Sequence, residues 1–316
     1  MRLIDKLIAP PSTGYSLLPA IFLNKGGFSL KNLVSPKTKK AVTFVVENEF
    51  VRILGVNEKL EKLFPPFEKD YSEEGNIELQ LQDVSDFLKE NFQNFKEISI
   101  GTYLPTRYGI LRLYTFPRSL KKRELLNSIE LYIQEEIAEV FPDKEVVYSF
   151  DILDTGPEEP YKVVVAILDK EVVDLLVNWS MELNINLEIL SFEPICVINF
   201  GLLKQLPQPF SIIYTEKNKI LVVSYGKTKI NYETFPYSLS LESGFEEALN
   251  MLIWDIRNYI VLNDLSNIFL GGIVLEYNHL TEFFLERLPI FGLLSIDKFP
   301  ERYSLLYTLG VRLLNA

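Results

Sequence analysis

Few side chains in this sequence have both the type and the spacing that chemistry needs. Glu135-Glu136 and Glu158-Glu159 are paired carboxylates, but neighbours in sequence point apart on a helix and neither pair has a positioned partner, so solvated charge is expected. His279 is the only histidine and Cys196 the only cysteine. One imidazole without a second ligand supplies neither a catalytic triad nor a zinc site, and His279 reads as a surface residue. A thiol between Ile195 and Val197 reads as buried and inert. Lys121, Lys122 and Arg123 form the one tight basic run of the body, expected as a solvated helical turn. Gly271-Gly272 follows an apolar strand, and a tight strand-to-helix turn requires glycine for steric reasons before any phosphate is invoked. No residue set here points to an enzyme.

The elements that must position these residues alternate. VTFVVE and FVRILGV, joined at Glu47 to Glu49, have the period of a hairpin. A helix over 79–95 follows, then strands EISIGTYLP and YGILRLYTF. Ser119 is a suitable N-cap for a helix that stops before Pro142. Two strands, a helix and the strand LEILSF complete the stretch from 119 to 192, compact enough for a small α+β subdomain. A helix over 195–205 runs into the break LPQPF, and the hairpin theme then returns with SIIYT and KILVVSYG. A helix over 243–262, the strand NIFLGGIV and helices in HLTEFFLERL and YSLLYTLGVRLL follow. A hairpin thus opens each half, as in a duplicated βββαβα architecture. On YGILRLYTF, Arg112, Tyr114 and Phe116 recur at period two where the chain enters the inserted stretch, so they are the candidates to line a groove for a peptide.

The 316 residues carry a net charge of −11, which argues against general nucleic-acid binding. The charge is unevenly spread: residues 1–40 hold seven basic groups and one acid, Asp5. Such a tail suits an anionic membrane surface or an acidic partner, with Arg2, Lys6, Lys39 and Lys40 as the contacting cations. No apolar run approaches the roughly 18 residues that span a bilayer. Asp5 and Pro10-Pro11 interrupt anything resembling a signal peptide. A lone cysteine fits a reducing compartment, so a cytoplasmic protein is expected.

Four stretches together resemble the type IV pilus assembly protein PilM family. They are FPRSLKKRELLNSIELYIQEEIAEVFPDKEVVYSFDIL, VVVAILDKEVVDLLVNWSMELNINLEILSFEPICVINF, NIFLGGIVLEYNHLTEFFLERLPI and YTLGVRLL. The resemblance implies an α/β, actin-like (ribonuclease H-like, duplicated) fold with an inserted small α+β subdomain. The divisions expected are a basic tail and linker over 1–41, a first subdomain over 42–117 plus 190–206, the inserted subdomain over 118–189, and a second over 207–316. In the family each opening hairpin carries Asp-x-Gly, the Asp for a magnesium-bound water and the Gly for phosphate approach. Here Val45 and Glu47 stand at those places in the first hairpin, and Tyr214 and Glu216 in the second. The base-covering insertion usual in the family is reduced or absent between Phe235 and Gly244. Of the nucleotide motifs only Gly271 and Gly272 persist, as vestiges.

The resemblance therefore implies a pseudo-ATPase: no catalytic residues, no metal, no ATP or magnesium as cofactor. The implied role is a cytoplasmic scaffold, peripheral at the inner membrane, that binds the cytoplasmic peptide of a PilN-like membrane protein in a groove between the main and inserted subdomains. Self-association into a homo-oligomer is compatible with it. Three other readings stay open: a functional actin-like ATPase of pilus assembly, a GspL-like component of type II secretion and a filament-forming division protein.

Overall fold

The computed structural model describes residues 40–71, 76–153, 158–226, 230–237 and 245–315. The first half runs through β1 (Lys40–Val46), β2 (Phe50–Asn57), β3 (Phe67–Asp70), α1 (Ile77–Asn91) and β4 (Ser99–Leu104). The chain then makes β5 (Gly109–Phe116), α2 (Lys122–Val140), β6 (Val146–Leu153), β7 (Tyr161–Asp169) and α3 (Lys170–Glu182). It returns through β8 (Leu187–Phe192) and α4 (Glu193–Leu203). The second half is β9 (Phe210–Thr215), β10 (Lys219–Tyr225), β11 (Ile230–Pro236), α5 (Phe245–Leu262), β12 (Ile268–Gly272), α6 (Asn278–Arg287), β13 (Ile290–Leu294) and α7 (Ser304–Asn315).

Two five-stranded sheets share one topology, β3-β2-β1-β4-β8 and β11-β10-β9-β12-β13. In each, an antiparallel meander of three strands is extended by two strands parallel to the first. The central strands are buried on both faces, which is why VTFVV and SIIY read as continuous apolar runs. Edge strands β3 and β13 leave little trace in the sequence. FEKD has one apolar residue, and IFGLL is too short to tell from a loop by periodicity.

A third sheet, β5-β7-β6, is antiparallel throughout. Its membership departs from the expected divisions. Strand β5 pairs with β7 along its length, from Gly109↔Leu168 to Phe116↔Tyr161, rather than with the first half. Period two fixes which face a residue takes, not which sheet the strand joins. Helix α2 also starts later than Ser119 suggests: Lys121 precedes it, and its backbone N–H donates to the Glu124 carboxylate at 2.8 Å. That is the reach-back arm of a capping box, and it satisfies a donor the helix cannot.

Helix α4 joins the halves. Every residue from Glu193 to Leu202 is buried, and a helix apolar on all sides belongs inside a core. Its residues share one cluster with β1, β2 and β8 of the first half and with Phe210, Ile212, Leu221 and Val223 of the second. The outer face of the second sheet packs separately against α5 and α6. The inserted sheet has its own small core around Phe116, Ile129, Ile133 and Val165.

Gly272 has φ +87°, and a Cβ there would lie 2.2 Å from the Thr215 carbonyl oxygen and 2.8 Å from its nitrogen. The glycine lets β12 press against the end of β9 beside the second turn. Gly272→Ala is therefore expected to destabilise the fold by about 3 kcal/mol, from left-handed strain plus a backbone clash; denaturant titration by circular dichroism measures it.

Candidate functional site at the two hairpin turns

The turns that open the two halves have the same register. Val46 pairs with Val51, and the Glu47 N–H donates to Phe50 O at 2.9 Å. Thr215 pairs with Ile220, and the Glu216 N–H donates to Lys219 O at 2.8 Å. Glu47 and Glu216 are thus structural equivalents, each closing a two-residue turn. The first turn is latched by Gln80 on α1, whose amide donates to Glu47 O at 2.6 Å. The second is latched through the Thr215 hydroxyl, which donates to Gly271 O and accepts from the Val274 N–H, both at 3.0 Å.

Both carboxylates are buried, Glu47 1% and Glu216 2% exposed. A buried carboxylate is tolerable only if paired, and each finds its cation on the opposite half. Lys219 of β10 reaches Glu47 at 2.5 Å, and Arg52 of β2 reaches Glu216 at 2.5 Å. The first pair is extended by Arg107, 2.5 Å from Glu47, and by Glu193, 2.8 Å from Lys219. Glu193 opens α4, where the helix dipole favours a carboxylate, and it also accepts from the Thr106 N–H at 3.0 Å. The second pair is extended by Glu68, 3.0 Å from Arg52, and Glu68 in turn holds Lys217 at 2.6 Å and Arg302 at 2.7 Å.

Burial opposes ionisation of Glu47, yet the Lys219 and Arg107 charges prevail and hold it below the ordinary carboxylate value. Burial also works against the charge on Lys219, and the two carboxylates around it raise its pKa nonetheless. Glu193 is pushed up to about 7 by burial, opposed by Lys219 and reinforced by Glu47. Glu216 is raised by burial against the pull of Arg52. One oxygen of each of these last two, Glu193 Oε1 and Glu216 Oε1, has no protein partner. Glu68, against the cost of its burial, is lowered to about 2 by Arg52, Lys217 and Arg302.

Apart from Glu47 and Glu216, the residues picked out by sequence are scattered in space. Val45 is packed in the core, and Tyr214 is buried with its hydroxyl 3.0 Å from Ser304 Oγ, so neither aims an oxygen at the turns as a metal ligand would. Gly271 and Gly272 serve the close passage of β12 along β9. Cys196 is buried and its thiol is pushed up to about 12 by burial. His279 is exposed, as are Lys121, Lys122, Arg123, Glu135, Glu158 and Glu159. Glu136 is not simply solvated: it accepts from Arg112 Nε at 2.6 Å and from the Tyr114 hydroxyl at 2.8 Å.

The groove candidates lie on the side of β5 that faces α2. Arg112 and Tyr114 face α2 through Glu136, and Phe116 is 4% exposed in the small core of the inserted sheet. The residues of β5 that pack into the large common cluster are Leu111 and Leu113, one step out of phase. Of the membrane-surface candidates, Arg2, Lys6 and Lys39 lie outside the described residues. Lys40 is half exposed, with Glu97 at 3.8 Å. What sequence reasoning missed is Arg52, Arg107, Glu193 and Lys219. Their only signal was charge inside otherwise apolar strands, in the short β4–β5 connection and at a helix start.

Doubled five-stranded sheets with shared central helices define the actin-like ATPase fold, and comparison with solved structures gives the same class. A Bacteroides thetaiotaomicron protein of actin-like ATPase fold and unknown function matches with TM-score 0.52 at 12% identity, over 88% of this chain and 98% of that one. The fold is, more particularly, PilM-like: a chain of a PilM-PilN type IV pilus biogenesis complex matches with TM-score 0.66 at 14% identity, over 88% of this chain and 99% of that one. No protein-family model matches the sequence, and no curated protein does.

Glu193 makes the site sensitive to pH. Its folded pKa of about 7 lies above its ordinary 4.5, so the folded state holds the proton more tightly and Glu193 destabilises the fold progressively as pH rises from about 4.5 to 7. Glu301, also raised to about 7 by burial, acts in the same window; Glu68, lowered to about 2, costs stability only as pH falls below 4.5. Melting temperatures at pH 5 and 7.5 should therefore drop with rising pH in the parent protein and drop less in Glu193→Gln.

Proposed function

We propose that this chain is a non-catalytic, PilM-like scaffold of a type IV pilus or related secretion or competence machine, and that it binds the cytoplasmic peptide of a PilN-like inner-membrane protein. The pseudo-ATPase part rests on one observation. The carboxylates at the two turns are already neutralised by the chain's own Lys219, Arg107 and Arg52, at buried positions. A magnesium triphosphate does not fit such a donor set. Glu47 and Glu216 would repel phosphate, Lys219 is committed to two carboxylates, and Val45 and Tyr214 offer magnesium no carboxylate. The partner part is supported by the likeness to a structure solved as a PilM-PilN complex.

The groove belongs between the first half and the inserted sheet, beside the half-buried Leu113 of β5. Peripheral attachment at the inner membrane, from the cytoplasmic side, follows from capture of the partner, aided by the basic tail. Among the described residues no helix is long and apolar enough to cross a membrane.

Two measurements test this reading. Millimolar Mg-ATP should leave the melting temperature unchanged, whereas a ligand at 100 times its dissociation constant would stabilise by about 2.7 kcal/mol. Fluorescence anisotropy should detect binding of the labelled N-terminal peptide of a single-span membrane protein encoded beside this chain. Leu113→Glu should weaken that binding about tenfold, or about 1.4 kcal/mol, with unchanged circular dichroism. Nucleotide-dependent stabilisation would refute the first part, and peptide affinity unaffected in Leu113→Glu would move the groove elsewhere.

A further inference from the structure

We propose that the reciprocal pairs Glu47–Lys219 and Glu216–Arg52 form a permanent clamp. It holds the two halves, and through Arg107 and Thr106 the inserted sheet, in one arrangement without any bound ligand. The clamp does not depend on the partner proposed above.

The geometry carries the inference in three steps. Each pair crosses between the halves, in opposite senses: the first half supplies the anion in one and the cation in the other. A rotation of one half against the other therefore separates both pairs together and strands four charges whose residues are at most 6% exposed. Glu68–Lys217, at 2.6 Å, is a third crossing contact. The cross-half hydrogen bond between the Thr106 and Thr234 hydroxyls, at 3.1 Å, lies beside the first pair.

The second step concerns energy. A buried ion pair contributes little net stability compared with an apolar replacement, because desolvation offsets the attraction, but removing one partner leaves an uncompensated charge at high cost. Such pairs are therefore poor as glue and effective as a constraint on arrangement. Two of them at equivalent turns define one relative position of the halves.

The third step links the clamp to the inserted sheet. The chain enters that sheet through Pro105–Gly109, and this short connection is held at both clamped carboxylates on its side: Glu193 takes the Thr106 N–H and Glu47 takes Arg107. The Leu111 N–H, on the free edge of β5, donates to the Tyr232 hydroxyl of the second half at 3.4 Å. The first strand of the inserted sheet is thus oriented by both halves. Glu47, Glu193 and Arg107 are positioning residues.

Pulsed spin-resonance distances test the clamp on the full chain in a Cys196→Ala background. Nitroxides go on exposed positions of the first half, the inserted sheet and the second half, through Lys59→Cys, Gln134→Cys and Glu282→Cys in pairs. The parent should show one narrow distance for each pair, unchanged by millimolar Mg-ATP. Lys219→Met should add a second, longer population between the halves. Glu216→Gln, a neutral isostere, should loosen the halves while leaving the inserted sheet fixed to the first half. Arg107→Met should do the opposite. If Lys219→Met fails to fold by circular dichroism, the last two variants decide. Folded variants with the parent's distances would overturn the clamp, as would a parent whose halves are already broadly distributed or move on adding Mg-ATP. Peptide binding is not a readout here, so failure of the clamp and failure of the scaffold reading remain separate results.

Discussion

A carboxylate placed at a buried two-residue turn must be met by a cation, and the turn itself has no room to supply one. At both turns in this protein the cation comes from the second strand of the other half's hairpin. Lys219 and Arg52 occupy neighbouring places in their hairpins: the residues after the first turn run Phe50 then Arg52 on one face, and those after the second run Lys219 then Leu221. One apolar and one cationic residue serve each hairpin, in opposite order. The Arg52 guanidinium also lies over the Phe50 ring, 4.1 Å from its centre, which adds a cation–π contact to its carboxylate bonds. The relative placement of the halves depends on this exchange, and the core has been built to accept it.

The core does so through α4. A helix buried on every side between two sheets fixes their spacing by packing, while its first residue, Glu193, brings a charge to the same place. Packing and electrostatics thus act on one element from its two ends. Helix α7 packs beside α4 against the first sheet, where Thr43 donates to Leu306 O at 3.0 Å. The outer surfaces are free of these constraints. Large apolar side chains such as Met251, Trp254 and Phe291 stay exposed on the second half, away from the turns.

Under the scaffold role proposed above, there is a physical reason to dispense with ligand-driven closure. If a protein's task is to present a surface continuously, a conformational equilibrium only lowers the fraction that is competent to bind. Holding the halves by internal charge removes that loss. It also makes the arrangement depend on protonation, because a carboxyl near neutrality, Glu193, sits at the node.

The sequence by itself determined the duplication and the order of most elements. Those follow from apolar periodicity and from residue types at the turns, both of which are local. It also located Glu47 and Glu216 at equivalent positions, but gave them only the meaning of missing glycines. Tertiary structure decided that β5 joins the inserted sheet, that Phe116 is core while Leu111 and Leu113 face the junction, and that β3 and β13 are strands at all. It alone decided the partners of the two glutamates. Glu47 and Lys219 are 172 positions apart, and Arg52 and Glu216 are 164; no pattern along a chain records which charge will lie 2.5 Å from which. That is settled only when the two sheets pack on one helix and the buried carboxylates must find their counter-charges across the gap.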